Sequence, residues 1–128
     1  MKYGLPEFHI GVVDVRDLAE AHFKAGFTPS AQGRYIISAE NTEFLPLANI
    51  LKKKYGRAYP FPTRYLPKSL VWLLAPIAGF KRKMIARNVG HVWKVDNSKS
   101  IKELGVHYRP IENSIIEMFQ QLVDNGIV

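Results

Sequence analysis

The stretch VVDVRDLAEAH, residues 12–22, constrains this chain more than any other. The β-type run FHIGVVDV is apolar up to Asp14, and from there Val15, Leu18, Ala19 and His22 or Phe23 recur at helical spacing. A strand that delivers straight into a helix belongs to an α/β arrangement rather than to a bundle or a sandwich. Two readings of its polar residues stay open. Asp14, Arg16 and Asp17 could orient a ligand at the C-terminal end of a strand, where open α/β sheets bind theirs. The local alternative is that Asp14 caps the helix, Asp17 adds charge to its first turn and Arg16 pairs with a nearby carboxylate. The local roles are the expectation here, and His22 is read likewise as a packed or hydrogen-bonded structural histidine.

Downstream, glycines and prolines punctuate the chain. After TPSAQG, the run RYIIS (34–38) reads as a short buried strand. Asn41 or Thr42 is expected to cap a helix with the stripe Phe44, Leu47, Ala48, Ile50 and Leu51, with Lys52–Lys54 at its C-terminal end and Gly56 as its stop. Pro46 falls near its first turn, where a missing N–H costs least. YPFPTRYLP is an extended connector. Pro67 opens an apolar helix to about Ala78, and a basic helical stretch follows from Lys81 to Arg87. HVWKV is expected as a short strand and DNSKSIKELG as a capped helical turn ended by Gly105. The last helix runs from Pro110 to about Asn125, with Ile111, Ile115, Phe119, Leu122 and Val123 on one stripe.

Length fits one domain with one core, since the chain has 128 residues, 47% of them hydrophobic. The net charge of +7 raises the question of an acidic partner, but the lysines and arginines are spread along the chain as solvated helix ends and faces are. Nucleic acid is therefore not the expected partner. A membrane is not either: the longest apolar run, SLVWLLAPIAGF, is about twelve residues and contains a proline. There is no cysteine, and the opening MKYGLPEFH has no apolar signal region, which together suggest the cytoplasm.

The chemistry is defined by what the sequence lacks. It contains no glycine-rich dinucleotide loop, no P-loop, no Gly-x-Ser-x-Gly elbow and no Tyr followed four residues later by Lys; YLPK at 65–68 is one residue too short. His9, His22, His91 and His107 are far apart and show no metal-binding spacing, so no metal site is expected. No catalytic or cofactor-binding residue can be named. Trp72 and Trp93 could stack on an aromatic substrate, although isolated aromatics in apolar segments more often serve the core; with Phe80 they are the substrate-pocket candidates.

Several blocks together resemble a family. VVDVRDLAEAHFKA is similar to a segment of the extended short-chain dehydrogenases/reductases, in the branch of dihydroflavonol 4-reductase, cinnamoyl-CoA reductase and related aldehyde reductases, within the epimerase/dehydratase superfamily. GRYIIS, EFLPLANILKKKYG and DNSKSIKELGVHYRPIENSIIEMFQQLVDNG follow in that family's order. The resemblance implies an α/β fold: the mostly helical C-terminal substrate-binding portion of a Rossmann-type reductase, with a few short strands. Residues 6–58 would complete the Rossmann domain and 59–128 would form the substrate-binding lid and closing helix.

In that family the cofactor loop and the catalytic Ser, Tyr and Lys precede the corner. The implied cofactor, NADP or NAD, thus belongs to the full-length parent, with none expected on this chain, and the implied substrate is a small carbonyl compound. Its partner would be the N-terminal Rossmann part or a second copy of itself, because RYIIS needs sheet neighbours. Two other classes compete with this one: a basic nucleic-acid- or anion-binding module, and a non-catalytic oligomeric scaffold domain.

Overall fold

A computed structural model describes residues 4–128. In chain order its elements are β1 (His9–Val12), α1 (Val15–Phe27), β2 (Glu40–Glu43), α2 (Phe44–Tyr55), α3 (Lys68–Leu74), α4 (Arg82–Asn88), α5 (Ser98–Leu104) and α6 (Ile111–Asp124). β1 and β2 pair as a two-stranded sheet, so the fold is α/β with mostly helical character. The chain forms two compact units, each discontinuous in sequence. The first contains the described residues through Ile10 and Thr42–Trp93, and the second contains Gly11–Asn41 and Lys94–Val128. Each has its own buried cluster, which corrects the single core expected from length: Ala75, Ile85 and Val89 in the first, Ala21, Leu104 and Val106 in the second.

In the first unit, α2 starts at Phe44, beyond the expected Asn41 or Thr42 cap, and carries Pro46 in its first turn, among N–H groups that have no intrahelical acceptor anyway. Its buried face is Leu45, Leu47, Ala48 and Leu51, and Phe44 is left exposed. Helix α3 ends at Leu74, short of the expected Ala78, because Pro76 has no N–H to donate back to Trp72. A tight turn follows, closed by Phe80 N–H donating to the Ala75 carbonyl at 2.8 Å. Gly79 enters that turn at φ 78°, which glycine adopts without strain. The turn folds α4 back onto α3.

In the second unit, three expectations are corrected. RYIIS is extended but is not a strand. The carbonyls of Arg34 and Ser38 accept from the side chains of Lys99 (3.4 Å) and Asn97 (2.7 Å), where a sheet would supply backbone donors. Only one of its faces is covered: Tyr35 and Ile37 pack on the Ala21 cluster while Ile36 is exposed. HVWKV is not a strand either. The N–H and carbonyl of Val95 are both taken by the Asn41 side-chain amide, at 2.9 and 3.2 Å, so one amide stands in for a strand neighbour. Asn41 is therefore unavailable to α2, whose N-cap position is Glu43 with no side-chain cap bond.

Helix α1 also differs from its expected stripe. Asp14, Asp17, Leu18 and Ala21 face inward, while Val15 (75% exposed), Phe23 (63%) and Phe27 (75%) lie outward together with Ala19. The helix thus has two apolar stripes and covers the one that contains the acids. Helices α5 and α6 follow the sequence closely. Gly105 ends α5 in the left-handed conformation, and Ile111 and Phe119 anchor the buried face of α6.

Two glycines report on this packing. Gly26 lies in α1 with nothing within 4 Å of a Cβ, so Gly26→Ala should raise stability by about 0.5–1 kcal/mol. At Gly11 a Cβ would lie 2.8 Å from the buried Ser38 Oγ, so Gly11→Ala should lower stability by about 1–3 kcal/mol. Thermal melts followed by circular dichroism should move in opposite directions for the two variants.

Candidate functional site

The first unit holds an apolar cleft of about 410 Å³. It is lined by residues of the contacting helices α3 and α4, by Ala78 and Phe80 of the turn between them, and by Phe8 and Phe44. Every lining side chain is apolar, Leu70, Leu74 and Met84 among them, and several are partly exposed. Such a cleft can hold the hydrocarbon or aromatic body of a ligand. Its side chains offer no donor to a carbonyl oxygen and no group to transfer a proton.

Of the three pocket candidates, Phe80 lines this cleft, and Trp72 and Trp93 do not. Trp72 lies under the Arg82 guanidinium, 4.5 Å from its ring centroid, an arrangement that ties α3 to α4. Trp93 is half exposed at the end of the unit. Phe8, Phe44 and Met84 were not singled out from sequence. Phe44 carried a signal, as it was assigned to a buried stripe that the helix instead turns toward the cleft.

The corner residues lie in the second unit, in a connected set of charges. Asp14 is the N-cap of α1 and accepts from the Arg16 N–H at 2.8 Å. The Arg16 side chain returns to the same carboxylate through Nε (2.9 Å) and Nη2 (2.7 Å), and Nη2 also reaches Glu117 on α6 at 2.8 Å. Ser114 Oγ donates to Asp14 Oδ2. These hydrogen bonds, from Arg16 first and then Ser114, hold the Asp14 carboxyl well below the usual carboxylate range despite its burial. Asp17 is completely buried and accepts from the Arg109 backbone N–H at 2.7 Å and from the Arg109 guanidinium. His22 is exposed, with Nδ1 2.8 Å from the Leu18 carbonyl; a carbonyl only accepts, so this nitrogen carries the proton.

All four corner residues are thus engaged by backbone or side-chain partners of the same unit. The set joins the start of α1 to α6. The cleft supplies apolar shape and the corner supplies a set of paired charges.

No family model matches this chain. Curated proteins do: it is 30% identical over 114 residues to cinnamoyl-CoA reductase 2 of Arabidopsis thaliana, and 33% identical over 114 residues to an uncharacterized oxidoreductase of Schizosaccharomyces pombe. These alignments cover 89% and 86% of this chain. The chain is thus similar, over most of its own length, to one part of a cinnamoyl-CoA reductase and of an oxidoreductase. It spans only 29% and 27% of the length of those two relatives. Solved structures agree on the fold. The crystal structure of gox2253 superposes over 98% of this chain and 40% of its own, with a TM-score of 0.74 and 20% identity. That of the yeast methylglyoxal/isovaleraldehyde reductase Gre2 with NADPH does so over 98% and 33%, with a TM-score of 0.66 and 24% identity. No helix among the described residues is long and apolar enough to cross a membrane.

The corner supports two predictions. Arg109→Met leaves the Asp17 carboxylate buried with only its backbone donor, which should cost roughly 3 kcal/mol in urea unfolding, the low end for a broken buried pair. The second concerns acid. The folded value of Asp14 lies below its ordinary 3.8, so the unfolded chain holds the extra proton, and the stability it contributes is complete above that pH and is lost as pH falls below it. Asp14→Asn should therefore flatten the acid limb of the stability curve below about pH 4.

Proposed function

We propose that this chain is the C-terminal, substrate-side part of an NAD(P)H-dependent reductase acting on a small carbonyl compound, in the manner of dihydroflavonol 4-reductase, and that it is catalytically silent alone. The observation that carries this reading is a pairing: most of the chain aligns with about a quarter to a third of the length of reductases, yet its 128 residues contain none of the loops or triads that hold a dinucleotide or transfer a proton. In this reading residues 6–58 complete a Rossmann domain and 59–128 form the lid. Phe80 and the apolar cleft receive the body of the substrate, while the nicotinamide and the catalytic acid are held by an N-terminal dinucleotide-binding part.

The outward stripe of α1 supports the same assignment. Val15, Ala19, Phe23 and Phe27 recur every four residues on one exposed face, with the Phe23 and Phe27 rings 4.7 Å apart. An apolar helix face of this kind suits coverage by a neighbouring part of the fold or by a second copy. The assigned setting is the cytoplasm, which suits a cysteine-free chain.

The test is a fluorescence titration of NADPH into the chain, with its mass confirmed at 128 residues. Unchanged nucleotide emission across the titration is the expected result. Saturable binding by the chain alone would place a cofactor site within it and overturn this division of labour.

A further inference from the structure

Glu7 and His9 are two residues apart on an extended run, so their side chains leave the same face of the chain. That run is fixed on both sides within the first unit. Leu5 donates to the Arg64 carbonyl at 3.1 Å and accepts from the Leu66 N–H at 2.8 Å, and Phe8 bridges to Val89. Glu43, the last residue of β2, meets this face. His9 Nε2 lies 3.4 Å from Glu43 Oε1 and 3.7 Å from Glu7 Oε1, and the three potential ligand atoms lie within 4.8 Å of one another. The other oxygen of Glu43 accepts from the Tyr65 hydroxyl.

The His9 side chain is only 12% exposed, and its Nε2 is shielded from solvent without a hydrogen-bond partner. A buried imidazole nitrogen aimed at two carboxylates calls for a positive charge between them. Both N···O separations exceed the roughly 3.2 Å limit of a good hydrogen bond. They are close to the ~3.3–3.4 Å between neighbouring ligands on a tetrahedral ion with bonds of about 2.0–2.1 Å. One imidazole nitrogen with two carboxylate oxygens suits a first-row transition ion better than calcium or magnesium, which favour all-oxygen sets.

We propose that Glu7, His9 and Glu43 form a binding site for a first-row divalent metal ion, zinc fitting best, with Tyr65 as the positioning residue that orients Glu43. This departs from the sequence expectation of no metal site, and it does not depend on the proposed reductase role. Residues 7, 9 and 43 show no motif spacing; the fold brings them together.

The experiment is calorimetric titration of zinc chloride into the full chain at neutral pH, in a buffer that does not chelate, with circular dichroism to confirm the fold of each variant. The expected result is saturable binding of a single ion per chain, weakened at least about tenfold by Glu7→Gln and by His9→Gln and about tenfold by Tyr65→Phe. Glu7 is the more exposed carboxylate, so Glu7→Gln keeps the test decisive if His9→Gln fails to fold. The absence of saturable binding would mean that a proton alone occupies the cluster, and the proposal would fail. It would fail equally if Glu7→Gln bound zinc as tightly as the unaltered chain, or if His91→Ala or His107→Ala removed the binding.

Discussion

A carboxylate with no access to water must be met by donors fixed in advance, and in the second unit that requirement falls on Asp17. The Arg109 backbone N–H and guanidinium supply them from the lead into α6. One turn earlier on α1, Asp14 is held by Arg16 and Ser114, and Arg16 in turn reaches Glu117. These contacts fix which face of α1 turns inward. They also explain why Val15, Phe23 and Phe27, the residues a hydrophobic pattern would bury, are the ones left outside. In this unit electrostatics sets the orientation of the helix and hydrophobic packing accommodates it.

The first unit is organised differently. Its buried cluster is small, and much of its apolar side-chain surface lines an open cleft. Pro76 is central to that outcome: by ending α3 early it creates the turn that returns α4, and the cleft lies beside that turn. A continuous helix to Ala78 would have no such corner. Among the described residues the same unit also groups Glu7, His9 and Glu43 at the ends of β1 and β2, none of them lining the cleft.

The elements easiest to read from sequence were those whose determinants are local. The Asp14 cap, the Gly105 stop and the α6 stripe each depend on residues within a turn or two, and each is found. The errors share a cause, which is dependence on distant residues. RYIIS has strand composition, but its carbonyls at 34 and 38 are met by side chains from α5 and the segment before it. Asn41 has the chemistry of a helix cap, yet it is committed to Val95, 54 residues away. Asp17 looked like an ordinary first-turn acid because Arg109 cannot be assigned to it by spacing. Of the pocket candidates only Phe80 borders the cleft, while Trp72 meets Arg82, in keeping with the rule that aromatic residues in apolar segments serve packing and cation contacts as readily as ligands.

The Asp17–Arg109 pair also constrains how this sequence can drift. The two residues are 92 positions apart, yet an apolar residue at either site alone leaves the other partner facing a space built for its opposite charge. Replacing both together with side chains of matching volume can be close to neutral, whereas each single step on that route is costly. Among descendants of this chain, positions 17 and 109 should therefore change as a couple or not at all, leaving a covariation signal between the corner and the closing helix that neither segment would show by itself.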